Sequence, residues 1–192
     1  MSKFDDLYRN AINDRPEQFI QPLMPYIKCS INGIELLALI DTGSVITCTN
    51  LEIANKCDII SDMDDSYKIP IVGVGNKTSI GKNYGVDIKI NNEIITMAMT
   101  ILDISINDCD LIIGLDLMKS FAANIIFQSN KLTLKCQGKI LETELLSEQS
   151  IKLFKLTKKL IEVTHGKISK DNAIALLEKN NFDINNCILE LL

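Results

Sequence analysis

The chain has 192 residues, 46% of them hydrophobic and 23% charged, with a formal net charge of −5. That is enough apolar material for one cored domain and a small module beside it. The acidic balance, with only two arginines, argues against a nucleic-acid partner, and no apolar run approaches the roughly 20 residues of a membrane span.

The first residues are polar and acidic, unlike a secretory signal, and residues 1–20 read as a helical lead-in. From Met24 to Cys136, short apolar runs and period-two alternation predict strands. They are expected at Met24–Ser30, Ile34–Ile40, Val45–Thr49, Ile69–Val74, Val86–Ile90, Ile94–Ile101, Asp110–Ile113, Asn124–Phe127 and Leu132–Cys136. Asn32-Gly33, Gly73, Gly75, Asn91-Asn92 and Ser129-Asn130 are the turn signals between them. Short helices are expected at Leu51–Lys56 and Leu115–Ser120. Residues 21–137 therefore read as one mainly β domain. Residues 138–149 are polar and acidic and read as a linker with partial helix. Beyond them the period becomes helical, with three helices at about 150–164, 169–179 and 183–191. Ser169 can cap the second and Asp183 the third. Ala173, Leu176 and Leu177 give one apolar face; Ile184, Ile188 and Leu191 give another.

Six cysteines (Cys29, Cys48, Cys57, Cys109, Cys136 and Cys187) form no Cys-x-x-Cys pair, and His165 is the single histidine. No metal site or cofactor is expected from such a set. The cysteines read as buried reduced thiols, which points to a cytosolic or nuclear compartment. The acceptor Asn76-Lys77-Thr78 would matter only in the secretory pathway.

Within this pattern one segment carries chemistry. The apolar strand Leu36–Ile40 runs directly into Asp41-Thr42-Gly43-Ser44. Asp-Thr-Gly is a common turn between strands, and it is also the half-site of an aspartic protease. Asp41 would be the catalytic carboxylate, on a loop that Gly43 allows to turn sharply. Thr42 can hydrogen-bond across to a partner loop, and Ser44 can hydrogen-bond the carboxylate. The triplet occurs once, so a second carboxylate must come from a second copy of the chain. Two further segments favour the catalytic reading over the bare turn. Ile71-Val72-Gly73-Val74-Gly75-Asn76 suits a glycine hairpin closing over a cleft, with Val72, Gly73, Val74 and Gly75 against substrate. Asp110-Leu111-Ile112-Ile113-Gly114-Leu115-Asp116 suits a strand threaded beside the catalytic loop, with Ile113 at the substrate site.

In combination these residues resemble the retroviral-protease-like domain of the DNA-damage-inducible ubiquitin-shuttle proteases. Ala11 to Phe19, with its Pro16-Glu17-Gln18-Phe19, is similar to that family's lead-in. Met24-Pro25-Tyr26-Ile27 and Ile31-Asn32-Gly33 resemble its first hairpin, Gly73-Val74-Gly75 with Ile80-Gly81-Lys82 its flap, and Ile113 to Lys119 its late motif. The likeness covers residues 8 to 136. Val45 departs from it, standing where the family more often has Gln. Residues 1–20 alone precede the first strand, so the ubiquitin-like and helical domains that the family usually carries there are not expected in this chain. The C-terminal segment, above all Ala173 to Asp183, is similar to a ubiquitin-associated (UBA) three-helix bundle, a module that also closes some members of the family. Ubiquitin-binding modules usually carry Met-Gly-Phe or Met-Gly-Tyr in the first loop; here it reads Thr164-His165-Gly166-Lys167. His165, Gly166, Leu191 and Leu192 are the residues that the resemblance offers for ubiquitin.

The resemblance implies a retropepsin-like closed β-domain, one half of a dimeric aspartic protease. Its Asp41 dyad would hydrolyse polypeptides through an activated water without a metal, and its substrates would be ubiquitinated proteins. The alternative is a non-catalytic adaptor that uses the β-domain as a scaffold, and a retroelement protease is a third reading. The intact triplet and glycine hairpin favour the protease over the adaptor, and the helical module argues against a retroelement.

Overall fold

A computed structural model describes residues 3–19, 23–71, 77–104, 106 and 109–191. The lead-in is helix α1 (Lys3–Asp14), followed by a single 3-10 turn at Pro16–Phe19. Tyr8 and Phe19 meet edge to face across the junction, with ring centroids 5.5 Å apart.

The β-domain begins with a two-residue turn. Asn32 and Gly33 both take positive φ, 48° and 81°, the left-handed pair that a tight hairpin requires. Strands β1 (Tyr26–Ile31) and β2 (Ile34–Ile40) therefore pair antiparallel, from Tyr26 opposite Leu39 to Ile31 opposite Ile34. On its other side β2 meets a strand from far along the chain, β8 (Leu111–Ile113), in parallel, with Ile40 opposite Ile113. β8 in turn pairs antiparallel with β3 (Cys48–Asn50). The late apolar segment is thus threaded between the two strands that flank residues 41–47.

β3 continues the sheet in parallel to β7 (Glu93–Leu102), which forms a long hairpin with β6 (Lys77–Ile90). Register shifts at Ser79/Gly81 and Asn83/Val86 interrupt that hairpin, and such irregularities bend a strand and sharpen its twist. The far end of β6 returns to β1, with Ile31 opposite Ile88, so the ring β1-β2-β8-β3-β7-β6 closes. Ile27, Ile31, Leu36, Ile40, Ile88, Ile95, Ile101, Leu111 and Ile113 fill its interior, each no more than 2% exposed. Short strands β4 (Met63–Asp64) and β5 (Pro70–Ile71) lie along the outer part of β6. Helix α2 (Leu51–Lys56) has the expected bounds and is capped by Asn50, whose side chain accepts from Ile53 N–H at 2.8 Å.

The expected linker is a strand. Within residues 138–149, β11 (Lys139–Glu144) pairs antiparallel with β10 (Lys131–Cys136), which also pairs with β9 (Asn124–Ile126). Leu141 and Thr143 alternate inward and are buried, while Ile140 is 71% exposed. The segment reads as polar because its inward face holds only one large apolar residue.

The three C-terminal helices are α4 (Glu148–Val163), α5 (Lys170–Lys179) and α6 (Ile184–Leu191). Ser169 caps α5 as expected, and Asp183 accepts the Asn185 and Asn186 N–H groups at the start of α6. Their core is Leu160, Ala173, Leu177 and Cys187. α4 has a second apolar face. Ile151 and Phe154 pack on Tyr26, Leu37, Leu39 and Ile112, the outer side of β1, β2 and β8. Lys158 on α4 pairs with Asp110 at 2.5 Å, and the same carboxylate accepts Leu37 N–H at 2.9 Å. The helical module is therefore seated directly against β1, β2 and β8.

Burial raises the thiols of Cys29 and Cys48 to about 12 and that of Cys57 to about 11. An unfolded thiol ionises near about 8.5, so above that pH the unfolded chain releases protons that the folded chain keeps. The stability these thiols contribute is whole below the unfolded value and is lost as pH rises through the folded values. Urea midpoints should fall as pH is raised above about 8.5, and Cys29→Ala should make that fall shallower. Leu111→Ala, in the threaded strand, should lower the unfolding free energy by about 3 kcal/mol, read from the same titrations.

Candidate active site

β2 delivers Asp41 to the end of the barrel. The Asp41 N–H donates to Ile113 O at 3.0 Å, so its backbone is one more rung of the β2–β8 ladder. Ile113 is fully buried in the barrel core. Its carbonyl supports the Asp41 backbone from beneath, and its side chain, expected against substrate, faces the core in the protomer.

The loop then folds back on Asp41. Ser44 N–H donates to Asp41 O at 3.1 Å, and Gly43 N–H donates to Asp41 Oδ1 at 2.9 Å. A Cβ on Gly43 would stand 3.2 Å from that same oxygen, so a glycine lets the N–H come close. Asp41 is half-buried while Thr42 and Gly43 are exposed. The loop thus offers a carboxylate at an open surface with one backbone donor already holding it.

Ser44 does not bond the carboxylate in the protomer. Its hydroxyl donates to Ile46 O at 2.8 Å. The Ser44 carbonyl accepts Leu115 N–H at 2.9 Å, which pins the residue on the side of the loop away from Asp41. Val45 and Ile46, expected as the start of a strand, belong to this loop, and the strand begins only at Cys48.

A second carboxylate organises the loop. Helix α3 (Leu115–Ser120) begins immediately after β8, and Asp116 lies in its first turn. Its Oδ2 accepts Thr47 N–H at 2.9 Å and its Oδ1 accepts the Thr47 hydroxyl at 2.7 Å and Leu117 N–H at 2.7 Å. Thr47 Oγ1 in turn accepts Gly114 N–H at 3.0 Å. Asp116 N–H donates to Val45 O at 3.2 Å. Thr47 is fully buried, so its hydroxyl needs partners on both sides. Gly114 makes the junction possible, because a Cβ there would lie 2.4 Å from the carbonyl carbon and oxygen of Ile46. The only trace of this role in the sequence is an acidic residue at a helix start, where it reads as a partner for the helix dipole.

Val72, Gly73, Val74 and Gly75, the expected flap, lie outside the described residues. Their flanks pair as a hairpin, with Ile71 opposite Lys77 and Pro70 opposite Thr78. Leu192 also lies outside them. His165 and Gly166 form the left-handed turn after α4, with φ of 53° and 72°. His165 and Leu191 line one recess of the helical module, floored by Ile168, Leu176 and Ile188, apart from the Asp41 loop. Among the described residues no cluster of His, Cys, Asp or Glu has the makings of a metal site, and no helix is long and apolar enough to cross a membrane.

Gly114→Ala should force the loop and α3 apart. The expected loss is about 3 kcal/mol of stability, together with at least a tenfold fall in whatever turnover the loop supports, measured on protein still folded by circular dichroism.

Comparison with known proteins places the site in a family. A model of aspartyl proteases matches residues 16–126. DNA damage-inducible protein 1 of Saccharomyces cerevisiae is 34% identical over 128 residues, 67% of this chain and 29% of that protein. Its counterpart in Candida glabrata is 32% identical over 147 residues, 77% of this chain and 33% of that protein. The chain spans about a third of the length of the curated relatives it matches. The crystal structure of the retroviral protease-like domain of Ddi1 from Leishmania major superposes with a TM-score of 0.58 and 26% identity, over 67% of this chain and 98% of that one.

Proposed function

The chain belongs to the aspartyl protease family, with the retropepsin-like domain of its DNA-damage-inducible branch, and from this we propose that it is an endopeptidase active as a homodimer. The observation that carries the reading is the Asp41 loop: one carboxylate, held by Gly43 N–H at 2.9 Å and open at the surface. Aspartic proteolysis needs two carboxylates, and the chain holds one Asp-Thr-Gly. A second copy, related by a two-fold axis, supplies the other.

Two carboxylates brought together across that axis do not both ionise, so the pair shares one proton. The ionised member takes a proton from a bound water as the water attacks the scissile carbonyl. The protonated member donates to the carbonyl oxygen, giving a tetrahedral diol. Collapse of the diol breaks the C–N bond: the carboxyl that took the water's proton gives it to the leaving amine, and the other carboxylate takes one from a diol hydroxyl, which restores the shared proton. Thr42, exposed beside Asp41, braces one loop against the other. The hairpin formed by β5 and β6 closes over the peptide, which lies extended and bonds through its backbone as an added strand would.

Ubiquitinated proteins are the substrates this reading favours. The support is the recess of the helical module, where His165 and Leu191 flank an apolar floor. The cysteines, all free and all but Cys136 buried, suit a cytosolic or nuclear setting.

The test is cleavage of a long polyubiquitinated substrate by the wild type and by Asp41→Asn, across about pH 4 to 7. Cleavage by the wild type that Asp41→Asn reduces by at least a thousandfold supports the protease. Retained ubiquitin-chain binding with no cleavage by either protein would favour the adaptor. Failure of both activities would remove ubiquitin from the reading.

A further inference from the structure

Asp41 shares a face of the sheet with residues that the helical module covers. Along β2 the side chains alternate: Leu36, Ala38 and Ile40 lie in the barrel core, Leu37 and Leu39 on the outer face. The Asp41 N–H continues the β2–β8 ladder, so the same alternation sets the Asp41 side chain on the face of Leu37 and Leu39. Leu39 stands opposite Tyr26 on one side and Ile112 on the other, and residues paired in this way share a face. Cys48, opposite Ile112, has its thiol raised by burial and, beyond that, by neighbouring charges that include Asp41. Tyr26, Leu39 and Ile112 thus form an apolar surface beside the carboxylate. At about 3.3 Å per residue, Leu39 lies roughly 7 Å from Asp41 along the strand. An extended peptide with its scissile bond at Asp41 carries side chains at the same spacing, so those within two residues of the bond reach this surface.

In the protomer the module already occupies it. Ile151, Phe154 and Lys158 follow at i, i+3 and i+7 and form one stripe of α4. Ile151 and Phe154 pack with Tyr26, Leu39 and Ile112. Leu146, just before α4, joins the same cluster, and its N–H donates to Tyr26 O at 2.8 Å. Lys155 stands over the Tyr26 ring at 5.9 Å, and Lys158 pairs with Asp110.

The contact suits release. Leu153, Leu156 and Leu160, on the opposite stripe of α4, belong to the module's own core, which does not need the barrel to bury it. Against the β-domain the fit is loose. A gap of about 400 Å³ remains between α4, α5 and the turn of the first hairpin. The Thr157 hydroxyl is buried beside it with no hydrogen-bond partner among the described residues, an unfavourable state that water would relieve on separation. Of the ion pairs that cross, Lys56–Glu162 and Lys170–Glu35 join exposed side chains, and such pairs are worth little.

On the aspartic-protease reading of Asp41, on which this rests, we propose that the helical module is an intramolecular inhibitor. Seated, Ile151 and Phe154 hold the surface that substrate side chains beside the scissile bond need. Lifted, the module frees Tyr26, Leu39 and Ile112 and keeps its own fold. The two states exclude one another, so kcat/KM scales with the fraction of chains in the open one.

The test compares the wild type with the double variant Phe154→Glu, Lys158→Glu, which sets carboxylates against the apolar surface and against Asp110. Reduced and carboxymethylated albumin serves as substrate, an unfolded chain that offers many sequences and no ubiquitin. The expected result is at least a tenfold rise in kcat/KM, compared at equal dimer fraction by sedimentation, and its loss when Asp41→Asn is added. Lys158→Arg keeps the pairing charge and should stay at the wild-type rate. Circular dichroism checks that the helices persist. Lys158→Glu alone, at a partly exposed position, should still raise the rate several-fold if the double variant fails to fold. Variants that stay folded and cleave no faster than the wild type would overturn the proposal. Cleavage by neither wild type nor variants would remove the protease reading itself, and the inhibitor with it.

Discussion

Asp116 receives three hydrogen bonds, from Thr47 N–H, the Thr47 hydroxyl and Leu117 N–H, at 2.7 to 2.9 Å. It does no chemistry in the proposed reaction, yet the position of Asp41 depends on it. The loop between β2 and β3 leaves the sheet at Ile40 and must return at Cys48. Its two ends are separated by the threaded strand β8, which it has to clear. Without an anchor, such a loop carries several backbone groups with no ladder partner. Asp116 and Gly114 meet that need from the junction of β8 and α3: one accepts the loop's donors, and the other lets the Ile46 backbone approach. The proposed reaction needs its carboxylate positioned to within a fraction of an ångström, and the loop that carries Asp41 is anchored by residues about seventy places along the chain.

The same strand connects the site to the rest of the molecule. β8 is buried on both sides, with Leu111 and Ile113 in the barrel core and Ile112 under α4. Asp110, just before it, joins Leu37 N–H to Lys158 of the helical module. A half-buried ion pair of this kind costs desolvation and gains more in defining an arrangement than in net stability. The module therefore packs on the backs of the strands whose ends carry Asp41.

Much of this is written locally. Ile34–Ile40, Leu51–Lys56 and Leu115–Ser120 form elements with the bounds expected of them, because apolar pattern, cap and turn agree over a few residues. The Asp-Thr-Gly loop is legible for the same reason. Three other features depend on partners that no local pattern names. β11 has a polar face and is a strand because β10 lies beside it. The Ser44 hydroxyl had a plausible acceptor in Asp41 three residues upstream, but the contact of Leu115 with its carbonyl turns it toward Ile46. Asp116 reads as a helix-start residue until Thr47 is placed against it.

A shared site makes a quantitative demand on mixtures of subunits. Wild-type protein at constant concentration is combined with increasing amounts of Asp41→Asn protein, allowed to exchange, and assayed on a polypeptide that the wild type cleaves. If each site draws one Asp41 from each of two chains, inactive subunits capture active ones and the rate falls toward zero as the variant is added in excess. A rate that stays constant would mean that one chain catalyses alone, and would contradict a site completed by a second copy.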